Sequence, residues 1–147
     1  MLLLLVGCVN SPEVSVLENQ ETAPKIQKVE KSNVGFDKNL ITSLEVERVF
    51  ELRESGQAFI IDTRPTLFFK TGHIEGAVSL PLKHIDKVYP EKESEIKQAL
   101  DSGKIIIIYC ANAKCTDSYL MATRFAELGM RSSVFKGGWR LWQQTGL

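Results

Sequence analysis

Cysteine is scarce in this chain of 147 residues, with three at Cys8, Cys110 and Cys115. Three cannot build the paired framework of a small disulfide scaffold, so stability has to come from a hydrophobic core. Histidine is scarcer, only His73 and His84. Neither is tied in sequence to a cysteine, which disfavours a Cys–His hydrolase. No sign of charge predominates: 18 Lys+Arg against 18 Asp+Glu give a formal net charge of zero. The basic excess that nucleic-acid binding draws on is missing, so no nucleic-acid partner is expected, although a local positive pocket for a small anion is still allowed. No apolar run reaches the roughly 20 residues that span a bilayer. Internal repeats and low-complexity segments are absent as well.

What is present is ordinary globular composition, 44% hydrophobic and 24% charged, enough for one domain and a tail. The chain opens MLLLLVGC. Leu5-Val6-Gly7-Cys8 resembles the lipobox of bacterial lipoproteins, in which the signal is cut before a cysteine that is then lipidated. The resemblance implies lipidation at Cys8 and an exported, membrane-anchored protein on the periplasmic side. It departs from that pattern in having no Lys or Arg before the apolar run; the other reading of these residues is a buried N-terminal strand. Residues 9–35 mix charges with two prolines and hold no sustained period, which reads as a flexible linker. The folded domain is expected over 36–147.

Within that domain, Thr42 and Glu45 have capping-box spacing, followed by an apolar helical face through Leu52 that stops at Gly56. Ala58 to Ile61 reads as a buried strand ending at Asp62, residues 63–77 as loop, and Val78 to Leu80 as a brief strand. A helix is expected over 93–100. Ile105-Ile106-Ile107-Ile108-Tyr109 has no polar alternation, so both faces are buried, as in a central parallel strand. A helix from Ser118 to Leu128, a strand at 133–135 and a short helix with Trp139 and Trp142 complete the pattern. This alternation predicts an α/β fold: an open central parallel sheet with helices on both faces.

Cys110 follows the central strand directly. Ligands of open parallel sheets bind beyond the carboxyl ends of the strands. The loop after Cys110 leads to a helix start, whose unpaired N–H groups and dipole favour a thiolate. The competing reading is an inert buried cysteine.

Asp62-Thr63-Arg64, Phe69, Gly72-His73-Ile74-Glu75-Gly76-Ala77 and Pro81, then Ile106 to Cys110, Ala122, Leu128-Gly129 and Phe135 to Trp142, resemble the two signature regions of rhodanese domains in order and spacing. The likeness runs from about Ile41 to Leu147. It implies a sulfurtransferase: Cys110 takes sulfane sulfur from a donor such as thiosulfate as a persulfide and yields it to a thiophilic acceptor. It also implies a cradle formed by Ala111, Asn112, Ala113, Lys114, Cys115, Thr116, Asp117 and Ser118. The expected partners are a small sulfur-containing anion, a thiol acceptor and a membrane through the lipid anchor; no cofactor is implied. Asp62, Arg64, Gly72 and His73 are read as structural, the pair ordering the loop and the glycine permitting a turn.

The loop departs from the family's common form. Seven residues separate Cys110 from Ser118, as in a subgroup with a second loop cysteine. A related family of phosphatases also has a long loop, but carries an Arg that clamps phosphate; here the only loop cation is Lys114. Cys115 is either a packing residue or a resolving thiol within reach of Cys110. Two cysteines fall short of a usual zinc ligand set, so no metal is expected. Lys114 and Asn112 are candidates to meet an anionic donor. Besides sulfur transfer, a thiol–disulfide redox protein using Cys110 and Cys115 and a non-catalytic binding module remain open.

Overall fold

The computed structural model describes residues 37–146. The lipobox at Cys8, the linker over 9–35 and the domain start at 36 lie outside the described residues. In chain order the strands are β1 (Ile41–Leu44), β2 (Ala58–Asp62), β3 (Val78–Ser79), β4 (Ile105–Tyr109) and β5 (Ser132–Phe135). The α-helices are α1 (Val46–Glu54), α2 (Thr66–Thr71), α3 (Ile85–Asp101), α4 (Asp117–Glu127) and α5 (Gly138–Thr145).

The five strands form one sheet in the order β1-β5-β4-β2-β3, and every pairing is parallel. The isoleucine run occupies the centre, and its period of two splits it between the faces. Ile106 and Ile108 join Ile61, Ile96, Met121 and Phe125 in one core. Ile107 and Tyr109 join Ile60, Val49, Leu52 and Trp142 in the other. Helices α3 and α4 thus cover one face, and α1 and α5 the other, as the sequence predicts. No helix among the described residues is long and apolar enough to cross a membrane.

Three local expectations are corrected. Thr42 and Ser43 do not open a helix: they lie in β1, where Thr42 pairs in register with Ser133 and their hydroxyls meet at 2.7 Å. Glu45 becomes the N-cap of α1, without a side-chain cap bond. The expected loop 63–77 contains α2, a turn and a half with no buried residue, hence no apolar period to announce it. The helix expected over 93–100 starts at Ile85 and carries Pro90 inside it. Proline there forfeits one backbone bond, while Ile85, Ile96 and Ala99 keep the helix on the core.

Candidate active site

Strand β4 ends at Tyr109, and Cys110 is the next residue, 3% exposed. Its loop curls before α4. The Cys115 N–H donates to the Asn112 carbonyl at 3.0 Å, and the Asn112 side-chain oxygen accepts from the Lys114 N–H at 2.9 Å. The curl brings the two loop cysteines together, with Cα atoms 6.1 Å apart, and they form a disulfide. The structure thus places Cys115 against Cys110, the two sulfurs bonded.

Helix α4 opens at Asp117, one residue ahead of expectation, with Thr116 as N-cap and no side-chain cap bond. The orphan N–H groups of its first turn therefore lack a side-chain acceptor. Ser118, in that turn, is buried. Asp117 brings a feature that spacing does not reveal: one of its carboxylate oxygens and the sulfurs of Cys110 and Cys115 all lie within 4.8 Å of one another. A carboxylate so close works against the helix end, because it opposes negative charge on either sulfur. These three are the one group of candidate metal ligands among the described residues. While the sulfurs are bonded to each other they are not thiolate donors.

The loop is held from behind by the start of α5. The Trp139 N–H donates to the Cys110 carbonyl and the Arg140 N–H to that of Ala111, both at 2.9 Å. This approach needs glycine at Gly138, whose φ is +61°: a Cβ there would sit 2.4 Å from the Cys110 carbonyl oxygen and 2.9 Å from the Asn112 nitrogen. Beside the loop lies a groove of about 370 Å3 lined by Asn112, Ala113, Lys114, Gly137, Arg140 and Leu141, among others. Lys114 and Asn112 thus share one recess. Arg140 doubles its positive charge, and nothing in the sequence pattern singles that residue out.

Behind the site is a buried polar cluster. The Asp62 carboxylate is fully buried and accepts from Arg64 Nε at 3.0 Å and Nη2 at 2.7 Å. Arg64 Nη2 also donates to the Gly72 carbonyl at 2.6 Å, and its guanidinium lies 5.1 Å from the centre of the Trp139 ring. The Tyr109 hydroxyl donates to Asp62 at 2.7 Å and accepts from the Ile74 N–H at 3.2 Å. Burial, then the Asp62 charge, pushes the Tyr109 phenol well above its ordinary range. This network fastens the end of β2 to the end of β4 and to the turn after α2. Gly72 (φ +153°) lies against Trp139, and a Cβ would come within 2.9 Å of that ring.

His73 is exposed. It stacks on Phe69 with ring centres 3.8 Å apart, and its Nδ1 lies 2.9 Å from the Phe69 carbonyl oxygen. Asp62, Arg64, Gly72 and His73 therefore contact protein groups that shape the turns. Sequence reading missed Tyr109 as a partner of Asp62, since an aromatic ending a strand looks like core.

Comparison with known proteins agrees with this geometry. Residues 45–145 match the profile of the rhodanese-like domain. An uncharacterized protein of Synechocystis is 31% identical over 98 residues, which is 66% of this chain and 49% of that protein. The chain spans about half the length of the curated relatives it matches. Among solved structures, a protein from Bacillus halodurans superposes with a TM-score of 0.61 at 25% identity, covering 74% of this chain and 76% of that one. A human single-domain sulfurtransferase gives 0.53 at 23% identity, covering 69% and 95%.

Proposed function

The chain belongs to the rhodanese-like domain family, and on that footing we propose that it is a sulfurtransferase whose nucleophile is Cys110. The observation that carries this reading is the position of Cys110: at the carboxyl end of the central strand, at the head of a curled loop, before a helix end without a side-chain cap. The disulfide is the oxidised resting state, and two electrons from a dithiol open it. The Cys110 thiolate then attacks the outer sulfur of a donor such as thiosulfate. The donor's S–S bond breaks, sulfite leaves with the electron pair, and a persulfide remains on Cys110. A thiophilic acceptor attacks the outer sulfur in turn and releases the thiolate. Lys114 and Arg140 offer charge to an anionic donor in the adjoining groove, and Asp117 tempers it.

A second reading is favoured by one observation, the Cys110–Cys115 bond itself: a thiol–disulfide redox protein. Mass spectrometry of the reduced chain after thiosulfate treatment separates the two. Release of one sulfite per chain, with the sulfane sulfur held on the Cys110 peptide or set free as sulfide, supports transfer. No sulfite from thiosulfate, with two hydrogens lost only when a disulfide oxidant is added, supports redox cycling alone.

The subgroup with a second loop cysteine fits the same scheme. For location, the LVGC run supports lipidation at Cys8 and membrane anchoring on the periplasmic side; a single acyl chain anchors weakly and several anchor stably. The full chain should fractionate with membranes and Cys8→Ser should release it. A wild-type chain found in the soluble fraction would count against the anchor.

A further inference from the structure

We propose that Cys115 is a built-in acceptor for the sulfur bound at Cys110, so that the domain releases hydrosulfide instead of requiring an external acceptor. This rests on the persulfide reading above and adds the fate of the sulfur. The two cysteines are already positioned to bond, with Cα atoms 6.1 Å apart, inside the range a disulfide spans without backbone movement. Cys110 is 3% exposed, which hinders an outside thiol from reaching it. Cys115 is only partly buried and belongs to the same loop. A nucleophile held at its target gains an effective concentration far above that of a diffusing thiol.

The chemistry closes. The Cys115 thiolate attacks Sγ of Cys110, the inner sulfur of the persulfide. The new Sγ–Sγ bond is the one seen in the structure. The bond between Cys110 Sγ and the outer sulfur breaks, and its electron pair leaves with that sulfur as hydrosulfide. A dithiol then restores the pair: one thiolate attacks Cys115, the more accessible sulfur, expelling the Cys110 thiolate, and the second thiol displaces Cys115. The sum converts thiosulfate and a dithiol into sulfite, hydrogen sulfide and a disulfide. Asp117 sits within 4.8 Å of both sulfurs, near enough for an intervening water to carry the proton of the Cys115 thiol to its carboxylate.

The test is a single turnover. The full chain is reduced, freed of reductant under anaerobic conditions and mixed with thiosulfate alone. Sulfite, sulfide and intact mass are then followed. We expect one sulfite and one sulfide per chain, and a product two hydrogens lighter than the reduced protein. Cys115→Ser, with Cys115→Ala as a second form, should release sulfite, retain one extra sulfur on Cys110 and yield no sulfide. Wild-type protein that keeps the extra sulfur on either cysteine and releases no sulfide would overturn the internal acceptor and leave the persulfide intact. No sulfite and no added sulfur in any form would instead overturn the persulfide reading on which this rests.

Discussion

Gly138→Ala puts the active loop's geometry to a quantitative test. Two costs separate cleanly. The first is backbone: at φ +61° an L-residue pays roughly 1–2 kcal/mol. The second is collision. The new Cβ would stand 2.4 Å from the Cys110 carbonyl oxygen, where ordinary contact begins at 3.4 Å, so the loop or the start of α5 must yield by about 1 Å. Forcing a methyl into a packed site costs roughly 1–3 kcal/mol. Together these give a loss of about 2–5 kcal/mol. Gly129→Ala is the control, because Gly129 has φ +75° with nothing within 4 Å of its would-be Cβ; only the backbone cost applies. Urea denaturation of both variants under reducing conditions gives the difference, and thiocyanate formation from thiosulfate and cyanide gives the rate. A displacement of about 1 Å at the nucleophile's backbone should lower the rate by ~100-fold, while Gly129→Ala keeps the wild-type rate. Equal stability losses in the two variants with unchanged rates would refute the claim that Gly138 seats the loop.

Arg64→Ala should destabilise the fold by about 3–5 kcal/mol, because it strands a buried carboxylate. Arg64→Lys should rescue little of this, since one ammonium cannot reproduce the fork on Asp62 and the bond to Gly72; chemical denaturation reads both. The raised Tyr109 phenol makes stability pH-dependent in one direction: the folded state holds the proton more tightly than the unfolded chain, so the contribution is complete below the free phenol's value of about 10 and fades as pH rises above it. Tyr109→Phe should flatten the alkaline limb of a stability–pH profile, and an unaltered limb would contradict the assignment. Asp117→Asn should lower KM for thiosulfate by about 5-fold at low ionic strength, the scale of one charge contact of about 1 kcal/mol in water, with the effect shrinking in salt.

The parts of the fold legible in the sequence are those where burial alone decides structure. Ile105 to Tyr109 can only be a strand covered on both faces, and Cys110 at its end marks the site. One edge strand and one short helix were hidden because packing does not write a period into them, whereas the brief strand at Val78–Ser79 and the short helix with Trp139 and Trp142 were legible. Ile41–Leu44 is an edge strand with no fully buried residue, and its Thr-Ser-Leu-Glu mimics a cap. Thr66–Thr71 buries nothing. Pro90 masks the first turns of α3. At the site, spacing brought out Cys115 as a possible partner, but partnership depends on the loop's curl through Asn112, which no residue count reveals. The nearness of Asp117 to both sulfurs and the approach of Arg140 are likewise products of tertiary packing.

The central claim is that Cys110 is the sulfur nucleophile, and its most direct test is thiocyanate formation by reduced wild-type protein and Cys110→Ser. The account predicts turnover in the wild type and none in the variant, with matching circular dichroism spectra showing that the fold survives. A folded Cys110→Ser protein that turns over at the wild-type rate would contradict it.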